Sequence, residues 1–149
     1  MINAVLFDLD GTFADTAPDL AAALNHTRAT RGLPALPLEV IRTQASHGSR
    51  GLLKIGFGIE PEAPDYDTLR DIFLDYYARN ICVHTRLFGD MAELVAALEQ
   101  RNIQWGIVTN KPDRYTMPLM QALALSIGSG WGLACAQVSP LIRQAARSA

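Results

Sequence analysis

Charge is scarce in this chain. Only 19% of its 149 residues are charged, and three of one sign never run together. That excludes an acidic or basic tail. A formal net charge of −2 carries no basic excess of the kind that draws nucleic acid. Cysteine is nearly missing: Cys82 and Cys135 stand far apart and match no metal-ligand spacing. A reduced pair in a cytoplasmic protein is expected rather than a disulfide. No apolar run approaches the length that spans a bilayer, so no membrane partner is expected. The opening Met1-Ile2-Asn3-Ala4 has no basic segment, and Asp8 interrupts the apolar stretch behind it, which argues against a secretory signal. There is no internal repeat. Hydrophobic residues, by contrast, make up 49%, which suits an ordinary globular protein with one sizeable core.

The most informative stretch is Phe7-Asp8-Leu9-Asp10-Gly11-Thr12. It follows the apolar run Ala4-Val5-Leu6-Phe7, which reads as a short buried strand. Alternate side chains of an extended segment share a face. Asp8 and Asp10 are therefore expected close together at the strand's carboxyl edge, where open α/β sheets place their ligands. Two like charges held together call for a cation or a proton. Gly11 permits a sharp exit and close backbone approach, and Thr12 adds a hydroxyl, a combination suited to Mg²⁺ and phosphate. The plain alternative is a strand followed by an Asp-Gly turn.

Helical spacing predicts a helix over 15–31, with Thr16 as N-cap and Asp19 favourable near the N-terminal dipole. Gly32-Leu33-Pro34 ends it. A second helix is expected over 37–45, a loop over 46–49 and a short helix over 50–58. Residues 61–65 read as a turn-rich linker, and 66–80 as an amphipathic helix. Further helices are expected over 90–101 and about 113–125. Between these two the segment 103–109 reads as a strand. Strand, helical insert, helix, strand, helix implies an α/β fold with a doubly wound parallel sheet and a helical cap inserted after the first strand. The boundaries expected are 1–14 and 84–149 for the core and 15–83 for the cap.

Asp8-Leu9-Asp10-Gly11-Thr12-Phe13-Ala14-Asp15-Thr16 resembles the first motif of the haloacid dehalogenase-like hydrolases, in the form carried by their small-molecule phosphatases. Val108-Thr109-Asn110 resembles the second motif, a strand ending in a hydroxyl residue. The likeness runs from residue 1 to about 125. It implies Asp8 as nucleophile, Asp10 as general acid and base, and Mg²⁺ held by Asp8 and Asp10. It implies phosphate contacts from Thr109 and Asn110, with Gly11, Thr12 and Lys111 beside them. Thr109 could instead simply cap the helix that follows. In the cap, Ser46-His47-Gly48-Ser49-Arg50 lies where a substrate-specificity loop is expected. Arg50 could meet a substrate carboxylate or be a solvated helix-start arginine, and nothing in the sequence orients His47 as a catalyst. Asp10 separates this pattern from metal-free dehalogenases and leaves a phosphoryl mutase open. Val108-Thr109-Asn110-Lys111-Pro112 resembles phosphoglycolate phosphatases. Similarity from residue 31 to 105 resembles a bacterial branch acting on N-acetylmuramic acid 6-phosphate. A small phosphorylated metabolite is thus the implied partner, with the oligomeric state undetermined.

The family pattern then breaks. A complete member carries a lysine in a third motif and an acid in a fourth. Here no lysine follows Lys111 and no Asp or Glu follows Asp113. Residues 126–149 are rich in Gly, Ser and Ala, with only Arg143 and Arg147 charged. The expectation is an atypical, truncated or frame-shifted end, weak metal binding and little activity from the chain as written. It further implies an exposed edge on the first strand.

Overall fold

A computed structural model describes residues 2–126. The atypical tail beyond Ser126, with Cys135, Arg143 and Arg147, lies outside the described residues. The chain divides into two compact units, one of Met1–Asp15 with the residues from Arg86 onward, the other of Thr16–Thr85.

The first unit is α/β. Strand β1 (Ala4–Asp8) pairs in parallel with β4 (Gln104–Val108), in the register Ala4 to Gln104 through Asp8 to Val108. Helix α5 (Met91–Gln100) leads into β4, and α6 (Asp113–Ser126) follows it. Asn102, at φ 55°, turns the chain between α5 and β4. Alternation sorts the strand side chains. Val5 and Phe7 face the same side as Trp105 and Ile107, and Ile107 is buried. Phe13, fully buried, stacks on Trp105 with ring centroids 5.8 Å apart and lies 5.6 Å from Phe7. This aromatic triad ties the loop after β1 to both strands.

The opposite face of β1 differs from the buried strand expected: Leu6 is 56% exposed and leans on Gly106. Among the described residues β1 pairs with β4 alone, and Ala4, Leu6 and Asp8 are exposed. Parallel strands are normally covered on both faces, so the exposure of Leu6 is unusual. A second ribbon, unforeseen from pattern, pairs β2 (Ala14–Asp15) antiparallel with β3 (Arg86–Leu87). Two-residue strands carry too little periodicity to be read.

The second unit is helical: α1 (Ala17–Ala29), α2 (Leu38–Arg42), α3 (Gly48–Phe57) and α4 (Tyr66–Arg79). The helix expected over 37–45 is cut to five residues, followed by a 3₁₀ turn at Ala45–His47. The loop expected over 46–49 is instead this turn and the start of α3. Thr16 precedes α1 but makes no side-chain cap. The packing of α1 explains several choices. Leu24 lies so close to Gly56 that a methyl there would sit 2.6 Å from its Cδ1. One turn on, buried Arg28 donates to the carbonyls of Gly56 and Pro34, neutralising the negative end of α3. Asn25 makes both hydrogen bonds with the Leu36 backbone, and His26 stacks on Tyr76 at 4.2 Å. No helix among the described residues is long and apolar enough to cross a membrane.

Phe13→Ala is expected to cost about 3–5 kcal/mol in a urea melt, because it empties the centre of the triad. Leu6→Ala should change stability by less than about 1 kcal/mol, its side chain being largely in water.

Candidate active site

The parallel register places Asp8 beside Val108, so the residues after each strand emerge at the same end of the pair. Leu9 is fully buried, while Asp8 is exposed and Asp10 half-buried. Leu9 is thus the buried residue of the three, with a more exposed acid on either side of it. The chain then folds back tightly. Phe13 N–H donates to the Asp8 carbonyl and Ala14 N–H to the Leu9 carbonyl, each at 3.0 Å. Gly11, at φ +80°, occupies the left-handed region that side-chain-bearing residues avoid. Its N–H donates to the Ala14 carbonyl at 3.0 Å. That bond commits the Gly11 amide to the turn, so the glycine contributes shape here, and Thr12 lies exposed beside it.

From the neighbouring strand come Thr109, Asn110 and Lys111. The Thr109 hydroxyl accepts from the Lys111 backbone N–H at 3.1 Å, a local turn that fixes its rotamer. The same hydroxyl keeps a proton to donate. Thr109 does not cap α6: the Pro112 carbonyl receives the first helical amides, from Tyr115 and Thr116. The Thr116 hydroxyl donates to the Lys111 carbonyl at 3.0 Å, holding this segment from the helix side. Lys111 Nζ lies 3.0 Å from Asp10 Oδ1, with the lysine side chain 8% and the aspartate 20% exposed. One of only two lysines in the chain thus bridges the ends of both strands. The 101 positions separating the two partners hid this pair from any sequence pattern.

Asp8, Asp10, Gly11, Thr12, Thr109, Asn110 and Lys111 therefore belong to one end of one unit. His47 and Arg50 belong to the helical unit. His47 is exposed and immediately precedes α3. Arg50 donates to Glu60 at 3.2 Å, and Lys54 reaches the same carboxylate at 2.6 Å. Lys54, then Arg50, hold the Glu60 carboxyl below the usual carboxylate range. Glu60 is the partner that the sequence did not suggest for Arg50.

Among the described residues no group of three or more acidic, histidine or cysteine side chains could hold a metal ion. Two carboxylates and a backbone carbonyl remain a reasonable donor set for Mg²⁺, which retains several waters and often takes only one or two protein carboxylates.

Residues 5–127 match the family model described as haloacid dehalogenase-like hydrolase. The chain belongs to the haloacid dehalogenase-like hydrolase family. Among its relatives is an N-acetylmuramic acid 6-phosphate phosphatase of Pseudomonas putida, 47% identical over 84% of this chain and 56% of that protein. A phosphoglycolate phosphatase of Xanthomonas campestris pv. campestris is 38% identical over 90% of this chain and 58% of its own length. The crystal structure of a predicted phosphoglycolate phosphatase from Haemophilus somnus superposes with a TM-score of 0.74 and 25% identity, covering 90% of this chain and 60% of that one. The chain spans little more than half the length of the curated relatives it matches. The α/β class with a parallel sheet, expected from the element order, is that of these haloacid dehalogenase-like relatives.

Lys111→Met removes one side of a largely buried ion pair and is expected to cost about 1.5–3 kcal/mol. A double-mutant cycle with Asp10→Asn should return a coupling of about 0.5–3 kcal/mol. A coupling near zero would show the pair to be incidental.

Proposed function

We propose that this chain carries the nucleophilic centre of a Mg²⁺-dependent phosphomonoester hydrolase, working through an aspartyl-phosphate on a small phosphorylated metabolite in the cytoplasm. The carrying observation is the shared strand end: Asp8 and Asp10 leave β1 where Thr109, Asn110 and Lys111 leave β4. Family membership supports it. In this reading the Asp8 carboxylate attacks phosphorus, forming the acyl phosphate as the P–O bond to the alcohol breaks. Asp10, entering this step in its protonated form, gives that proton to the departing alkoxide. It then takes a proton from the water that attacks the acyl phosphate, releasing inorganic phosphate and restoring Asp8. The Thr109 hydroxyl and the Asn110 backbone N–H hold phosphate oxygens, with Thr12 and Lys111 beside them. Gly11 supports them through its turn. Asp8, Asp10 and the Asp10 carbonyl would hold Mg²⁺, which when bound supplies positive charge between nucleophile and phosphate.

The substrate proposed first is N-acetylmuramic acid 6-phosphate, supported by the relative at 47% identity. Phosphoglycolate is second, supported by the relative at 38% and by the run from Val108 to Pro112. Both carry a carboxylate, for which Arg50 is the proposed partner with His47 beside it. The helical unit, acting as cap, would present them. Glu60 holds Arg50 in the described state, so a substrate carboxylate would have to exchange with it. A reading of another class, phosphate binding without turnover, is favoured by the missing third acid among the described residues.

Phosphate release from N-acetylmuramic acid 6-phosphate, phosphoglycolate and p-nitrophenyl phosphate, with and without Mg²⁺, separates these readings. Release above that of Asp8→Asn, dependent on Mg²⁺ and fastest with the amino-sugar phosphate, is expected. Release no greater than that of Asp8→Asn on all three compounds would overturn the hydrolase reading and leave the binding one.

A further inference from the structure

Lys111 is held at its N–H, its carbonyl and its ammonium. The N–H donates to the Thr109 hydroxyl at 3.1 Å, and the carbonyl accepts from the Thr116 hydroxyl at 3.0 Å. The ammonium meets Asp10 at 3.0 Å. Thr109 and Asp10 lie at the strand ends. Thr116 stands apart from them, in the first turn of α6, and is 4% exposed.

A threonine in a helix ordinarily turns its hydroxyl back to the carbonyl four residues earlier. Here that carbonyl belongs to Pro112 and lies at 3.3 Å. It already receives the amides of Tyr115 and Thr116, at 2.9 and 3.0 Å. The shorter contact of the hydroxyl reaches one residue further, to Lys111, ahead of the helix. The peptide joining Lys111 to Pro112 has no N–H, so its carbonyl is its only hydrogen-bonding group. The Thr116 hydroxyl restrains that peptide, and the Thr109 hydroxyl restrains the one before it. The Lys111 side chain springs from the Cα between the two. A lysine stem is long and flexible, and ordering its tip on one carboxylate costs rotamer entropy. Fixing the root of the stem lowers that cost.

We propose that Thr116 is a positioning residue. Acting through the Lys111 backbone, it sets where the Lys111 ammonium meets Asp10 and how the Thr109 hydroxyl is turned. The link to Thr109 rests on the phosphate reading given above. With its lone pair taken by Lys111 N–H, the Thr109 hydroxyl has its own proton left for a phosphate oxygen. Without the Thr116 hydroxyl the Lys111–Pro112 peptide turns more freely, and both groups lose their fixed direction.

The test is a triple-mutant cycle on the full chain. The coupling between Asp10→Asn and Lys111→Met is measured by urea melts in the parent and in Thr116→Val, which removes the hydroxyl and keeps the shape. A role confined to packing or to the helix would lower stability and leave that coupling as it was. Positioning predicts that the coupling falls to about half or less, and that Thr116→Ser restores it. An unchanged coupling in a folded Thr116→Val overturns the proposal. So does a coupling that Thr116→Ser fails to restore, or a parental coupling near zero. If Thr116→Val does not fold, Thr116→Ala and Thr116→Ser decide, because they differ from each other by the hydroxyl alone. A lower coupling in Thr116→Ala supports the proposal, and equal couplings refute it. Inorganic phosphate with Mg²⁺, followed through the Asn110 amide shift, is the second probe. Binding about tenfold weaker is expected in Thr116→Val, with near-parental binding in Thr116→Ser. Parental affinity in Thr116→Val refutes the link to Thr109. Phosphate that fails to bind the parent overturns the phosphate reading and that link with it, while the melts, which need no ligand, still judge the link to Lys111.

Discussion

The site rests on the register between two five-residue strands. Because β1 and β4 run parallel with Asp8 beside Val108, the segments 8–12 and 109–111 emerge together. A slip of one residue would turn Asp8 and Asp10 toward the core and Leu9 toward water. What prevents it is apolar: Leu9 fully buried, Ile107 buried, and Phe13 stacked between the turn and Trp105. The placement of the carboxylates is therefore a consequence of hydrophobic packing two or three residues away. The polar groups then lock onto one another through Lys111 and Asp10.

Much of this was legible locally. The strand–turn pattern around Asp8 and Asp10 needs only alternation and a glycine, and Gly11 adopts the positive φ that makes it necessary. Helices α1, α4, α5 and α6 follow the apolar spacing that predicted them, within two residues or so at each end. What escaped was non-local. The Lys111–Asp10 pair, the bonds of Asp19 to His84 and Thr85, and the Arg28 cap on α3 each join residues far apart in sequence, and no periodicity announces such partners. The two-residue strands β2 and β3 exist only because they meet each other. The second predicted helix shortened because Pro37 and a 3₁₀ turn bound it, which apolar spacing alone does not register.

The charges at the strand ends have a consequence for chemistry. Asp8 and Asp10 contribute two negative groups and Lys111 one positive one, already engaged with Asp10. A phosphate dianion entering that end needs further positive charge or donors. Thr109, Thr12 and the Asn110 amide offer donors, and a hard cation would offer the charge. The exposed face of β1, with Leu6 largely in water, belongs to the same account. A parallel sheet is ordinarily covered on both faces.

The most direct measurement is ¹⁹F NMR of the protein with beryllofluoride, a phosphoryl mimic that binds reactive aspartates, read together with backbone amide shifts. The account predicts a Mg²⁺-dependent adduct that is lost in Asp8→Asn, with perturbed amides at Thr109, Asn110 and Lys111 on the neighbouring strand end. No adduct, an adduct that survives Asp8→Asn, or amide shifts confined to the helical unit would contradict it.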